Sequence, residues 1–106
     1  MGAQSIVNSF VKGIVGAILG YSSGLIINAL IPAFELLNPP PIFWIFVAGL
    51  LTADILFSIA EAIEAGLSYS LGIFFAGAFL GDYSTIALGL IGVIGLAIGI
   101  LLKGAR

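Results

Sequence analysis

The chain has 106 residues, 61% of them hydrophobic and 8% charged, with a formal net charge of -2, and its mean hydropathy is +1.31. Soluble domains carry about 25% charged residues and need polar groups to cover their surface, so a water-soluble globular domain is excluded and most of this surface is expected to face membrane lipid or other protein. There is no cysteine or histidine, which removes thiolate and imidazole ligands and the commonest general base; no metal, cofactor or enzymatic chemistry is expected, and no basic run with interleaved aromatics suggests nucleic acid.

A hydrocarbon layer about 30 Å thick takes roughly 20 helical residues per crossing, which allows three or four spans in this length. The expected fold is all-α, an integral membrane bundle of four transmembrane helices in a single domain. Three spans plus a re-entrant or interfacial helix is the alternative.

Residues 1–13, MGAQSIVNSFVKG, space Ile6, Val7, Phe10 and Val11 around Asn8, Ser9 and Lys12, which predicts a short amphipathic lead-in or the polar first turns of the first span. Ile6 stands where a myristoylation signal needs Ser or Thr. The apolar run after Lys12 is too long for a signal-peptide core and lacks a small-x-small cleavage site, so no cleavage is expected.

The first span is predicted over residues 14–34. Gly16, Gly20 and Gly24 recur every fourth residue, with Ser23 beside them and Asn28 one turn on. Small residues at this spacing let backbones approach closely in lipid, where no hydrophobic force draws helices together. Pro32 should bend the last turn. Glu35, Asn38 and the run Pro39, Pro40, Pro41 then form an extended loop that opens the next helix, and Phe43, Trp44 and Phe46 suit an interfacial aromatic belt.

The second span, over 42–63, holds the most informative residues. Asp54, Ser58, Glu61 and Ala65 are spaced four, three and four apart, which would keep them on one helix face, with Asp54 roughly 3 Å past the midplane and Glu61 roughly 13 Å past it. A carboxylate near the midplane costs about 2.5–3.5 kcal/mol on insertion scales, so Asp54 is expected to face protein or water. Three roles are open to it: packing through a hydroxyl or amide such as Ser22, Ser23 or Asn28, pairing with a basic residue of another subunit, or binding a proton or cation with Glu61 as a relay.

Residues 67–106 form one long apolar run broken at Gly81, Asp82, Tyr83, Ser84 and Thr85, which predicts a short third span over 67–80 and a fourth over 85–102, with Asp82 or Ser84 capping the last helix. Gly89, Gly92, Gly95 and Gly99 give the fourth span a second small-residue surface. Four crossings put Lys12, Lys103 and Arg106 on one side, which the positive-inside rule makes cytoplasmic. Glu61 and Glu64 fall on that side too, placed for interfacial pairing with Lys12, Lys103 or Arg106.

Gly20-Tyr21-Ser22-Ser23-Gly24 matches G-x-S-x-G, but that pattern works on a strand-to-helix turn with a histidine base. Neither condition is met here. The glycines of 89–99 likewise lack the lysine of a phosphate loop.

Two glycine faces exceed what so small a bundle needs inside. The expected role is therefore a non-catalytic structural or accessory subunit of a larger membrane assembly, its partners being membrane lipid and other membrane subunits or copies of itself. The alternatives are a homo-oligomeric proton or cation conduit using Asp54 and Glu61, and a self-assembling coat or envelope protein of a virus-like particle.

Overall fold

The computed structural model describes residues 3–31 and 38–104. Pro32, Glu35 and Arg106 lie outside the described residues, and with them the expected bend, the first-loop charge and one basic partner. Four helices follow one another: α1 (Ala3–Leu30), α2 (Pro41–Ile59), α3 (Ile63–Leu80) and α4 (Tyr83–Gly104). Each is long and apolar enough to cross a membrane.

The helix boundaries differ from the expectation at several points: α1 ends at Leu30 rather than 34 and α4 runs over Tyr83–Gly104 rather than 85–102, and three further shifts matter more. α1 is continuous from Ala3 through Lys12, so residues 3–13 form the first turns of the first helix, the second of the two expected readings, and not a separate lead-in. α2 stops at Ile59 rather than 63. α3 starts at Ile63 rather than 67 and has 18 residues, about 27 Å at the helical rise, which removes the reason to read it as too short to span.

The reversal between α2 and α3 is a tight C-terminal cap. Ala60 ends the helix, Glu61 adopts a left-handed φ of 61°, and the Glu61 and Ala62 amides donate to the carbonyls of Ser58 at 3.2 Å and Phe57 at 2.9 Å. This is the paired 5→2 and 6→1 bonding that satisfies the last carbonyls of a helix. The α3–α4 reversal uses the residue that such a turn favours: Gly81 has φ 71°, and the Asp82 amide donates to Gly77 O at 2.9 Å.

Asp82 then caps α4. Its Oδ1 accepts from the Ser84 amide at 3.1 Å and the Ser84 hydroxyl at 2.7 Å, and Oδ2 accepts from the Thr85 hydroxyl at 2.7 Å. Partial burial pushes this carboxyl up, but the bonds from Ser84 and Thr85 together outweigh it and hold the group below its ordinary value. A depressed carboxyl stabilises the fold above its unfolded pKa and loses that contribution as pH falls through the folded pKa. Asp82→Ala should therefore cost about 0.5–2 kcal/mol at neutral pH. In thermal unfolding the gap between variant and parent should close in acid.

The helices pack as a layer. α3 and α4 lie side by side in the middle, α1 flanks α3, and α2 flanks α4 while also leaning on α3; the backbones of α1 and α2 do not approach each other. The Cα trace measures 48 × 31 × 15 Å, whereas a square bundle with axes 8–10 Å apart would show two similar cross-sections. Gly16 sits over Ala65, Gly20 over Tyr69 and Gly24 over Ile73 and Ala76, so α1 and α3 run parallel; Gly95 over Leu51 and Gly99 over Ile55 make α2 and α4 parallel too. An open apolar groove of about 260 Å³, lined by Val11, Val15, Leu19, Phe57 and Tyr69, separates α1 from α2.

The apolar core lies towards the α3–α4 turn. Ile27 of α1 and Ile31 just beyond its end, Phe43 and Leu50 of α2, Ile73 of α3 and Leu88 of α4 are all buried in one cluster.

Candidate functional site

Where α2, α3 and α4 meet, three of the buried residues are polar. Asp54, Ser58 and Ser70 have no exposed surface. Asp54 Oδ2 accepts a hydrogen bond from the Ser70 hydroxyl at 3.2 Å, while Oδ1 is buried with no hydrogen-bond partner. One turn further along α2, the Ser58 hydroxyl donates to the Leu96 carbonyl of α4 at 2.9 Å.

Glycine makes this junction possible. A Cβ on Gly92 would stand 2.8 Å from Asp54 Oδ2 and run into the Ser70 hydroxyl; one on Gly95 would be 3.1 Å from Asp54 Cβ, and one on Gly99 2.6 Å from Ser58 Cβ. The spacing of these glycines along α4 follows that of Asp54 and Ser58 along α2. The α4 backbone is thereby close enough for the Ser58 bond and closes over Asp54. The partner of Asp54 is thus Ser70, a residue not among the expected candidates. Ser22 and Asn28 are exposed, and Ser23 instead accepts from the Tyr69 hydroxyl at 3.1 Å.

Glu61 does not join Asp54 and Ser58. A common face requires helix through residue 61, and the chain has already turned at Ala60; the Glu61 side chain is 77% exposed. It accepts a hydrogen bond from Lys103 Nζ at 2.8 Å, and that bond and the ammonium charge hold its carboxyl below the usual range. Ala65, on α3, is displaced from that face for the same reason. Lys12 Nζ lies 3.5 Å from Glu64 Oε1. The two ion pairs join the start of α1 to α3 and the end of α4 to the α2–α3 turn, so Lys12, Glu61, Glu64 and Lys103 share one end of the layer.

Both glycine faces are occupied within the chain. Gly16, Gly20 and Gly24 receive α3, Gly89 meets the Phe74 backbone of α3, and Gly92, Gly95 and Gly99 receive α2 and Ser70. Contrary to the expectation, the two faces do not exceed what the interior needs. Asn28 leaves the packing face because a helix repeats every 3.6 residues: each step of four drifts about 40°, and after Gly24 contact passes back to the buried Ile27 and Ile31. The G-x-S-x-G match lies inside α1, with no strand beside it among the described residues.

The arrangement presents one chemically distinctive group, a carboxyl in the last third of α2 with one oxygen satisfied and one not. No group of three or more metal-ligating side chains occurs among the described residues. No known protein family, no characterised protein and no solved structure matches the chain, so its function must be argued from these residues.

Proposed function

We propose that the protein is a non-catalytic, multi-pass membrane subunit that works by lying edge to edge with other membrane subunits or with copies of itself. The carrying observation is the open layer. α1 and α2 form its flanks, and only 22% of the most apolar stretch of each is buried, against 33% in α3 and 39% in α4. The glycine faces do not carry this reading, since they are filled from within. With Lys12 and Lys103 at one end, the positive-inside rule assigns that end, and both termini, to the cytoplasm.

The test is the mass and composition of the particle extracted gently from its native membrane. A fixed complex with other proteins, or a defined oligomer, is the expected result; sheets or particles of indefinite size would favour the coat-protein alternative. A stable solitary monomer would overturn the proposal.

A second reading, proton or cation handling, is favoured by one observation: the buried Asp54 Oδ1 has no partner. An intramembrane ionisable side chain is expensive to keep and commonly marks an ion or proton pathway. Loss of flux through reconstituted vesicles on Asp54→Asn is the outcome this reading requires.

A further inference from the structure

We propose that Asp54 is a proton-exchange site reached from one end of the protein only, the end that carries Glu61 and Lys103. The inference rests on the proton-handling reading and adds to it a direction of access.

The two routes out from Asp54 differ in length and in what fills them. Towards Pro41 the carboxyl is 13 residues deep in α2, about 20 Å at the helical rise, and the way is closed by Leu50 and Phe43 with Ile73 and Leu88, the last two having no exposed surface. Beyond that cluster the described polar groups of α4 are Ser84 and Thr85, both engaged with Asp82 in capping the helix. Towards the other end Asp54 is five residues from Ile59, about 8 Å. That route runs along the α2–α4 seam past the Ser58 hydroxyl, the Leu96 carbonyl and Gly95 and Gly99, has one buried apolar side chain beside it, Leu96, packed at Gly66, and ends at the turn formed by Ala60, Glu61 and Ala62.

Helix ends open locally at far lower free energy than packed interiors. Loosening the last turn of α2 uncovers Ser58, and one more turn uncovers Asp54. Opening from the far side would have to dismantle the apolar cluster. A proton arriving as hydronium forms an O–H bond at Oδ1, the oxygen without a partner, and leaves a water molecule behind; release is the reverse along the same seam. Oδ2 keeps its bond from Ser70 throughout.

The groups shown against Asp54 are Ser70 on α3 and Gly92 and Gly95 on α4, none of them titratable. The charged side chains nearer the ends of the same helices are Glu61, Glu64 and Lys103 at one end and Asp82 at the other. Only the first set lies at the mouth of the short route.

The experiment uses the full chain in sealed vesicles, with the interior strongly buffered and the exterior stepped between about pH 4 and about pH 9, the range over which buried carboxyls titrate. The readout is the infrared carbonyl band of the protonated acid that disappears in Asp54→Asn. The fraction of chains with the Lys103 end outward is measured separately by impermeant amine labelling of Lys12 and Lys103. The expected result is a prompt change in a share of the band equal to the labelled fraction, with loss of this sidedness in Leu88→Ser. A share equal to the unlabelled fraction, or a change in the whole band, would overturn one-sided access while leaving Asp54 a proton site. If no Asp54-dependent band changes even in detergent, the proton reading itself fails, and the inference with it.

Discussion

Gly20→Val should separate α1 from α3 and lower the unfolding midpoint in mild detergent more than substitution of any exposed glycine. A Cβ at position 20 would overlap the Tyr69 carbonyl and lie 2.8 Å from its carbonyl carbon and Cα. These are backbone atoms in the middle of α3, so no side-chain rotation relieves the overlap and the helices must move apart. Overpacking in close-packed interiors costs about 1–3 kcal/mol, occasionally more, and the absence of any soft neighbour puts this site at the upper end. Separation would also stretch the Tyr69–Ser23 hydrogen bond. Gly49 supplies the control, because a Cβ there meets nothing within 4 Å; Gly49→Ala should hold or slightly raise the midpoint through its better helix propensity, worth up to about 1 kcal/mol. Equal midpoints for the two variants would show that α1 does not seat on α3 through Gly20.

Gly92→Ala should be nearly as costly, for a different reason. Its Cβ would collide with the Ser70 hydroxyl and crowd Asp54 Oδ2 at 2.8 Å, so the variant either parts α4 from α3 or expels the hydroxyl from its bond with Asp54. The latter leaves both carboxyl oxygens buried without partners, and each unsatisfied buried group costs about 1–3 kcal/mol. Ser70→Ala alone should lose about that much by orphaning Oδ2. The two effects share one cause, so the double variant should be less damaged than the sum, with a coupling of about 0.5–3 kcal/mol. Strict additivity in the unfolding free energies would mean that Gly92 is not spaced to admit the Ser70–Asp54 bond.

Several local features could be read without coordinates because they depend on neighbouring residues alone. Gly81 and Asp82 announced a turn and a cap, since glycine tolerates the left-handed conformation and a short carboxylate reaches the first free amides of a helix. The α2–α3 turn gave no such signal. A glutamate stands where glycine or asparagine is usual, so an apolar, carboxylate-bearing pattern ran through a point at which the chain reverses. That one missed turn takes Glu61 off the face of Asp54, while its expected interfacial pairing with a basic residue is met by Lys103. The Asp54–Ser58 pair stood out correctly as a one-turn spacing on a continuous helix, but Ser70 did not: it is 16 residues from Asp54 and resembles any other serine of a membrane helix.

From the sequence alone came the number of helices, their apolar character, the grouping of the lysines with Glu61 and Glu64, and the inward placement of Asp54, because hydropathy, helix length and the cost of an isolated charge are properties of a segment and its immediate neighbours. Tertiary structure decided what the glycine faces receive, which hydroxyl meets Asp54, and that the helices form a layer 15 Å thick. A glycine ladder shows that something will come close without saying which helix it is. In an apolar chain almost any pairing buries similar side chains, so the choice falls to fine steric fit: Gly92 against Ser70 and Asp54, Gly99 against Ser58, and Gly20 against Tyr69.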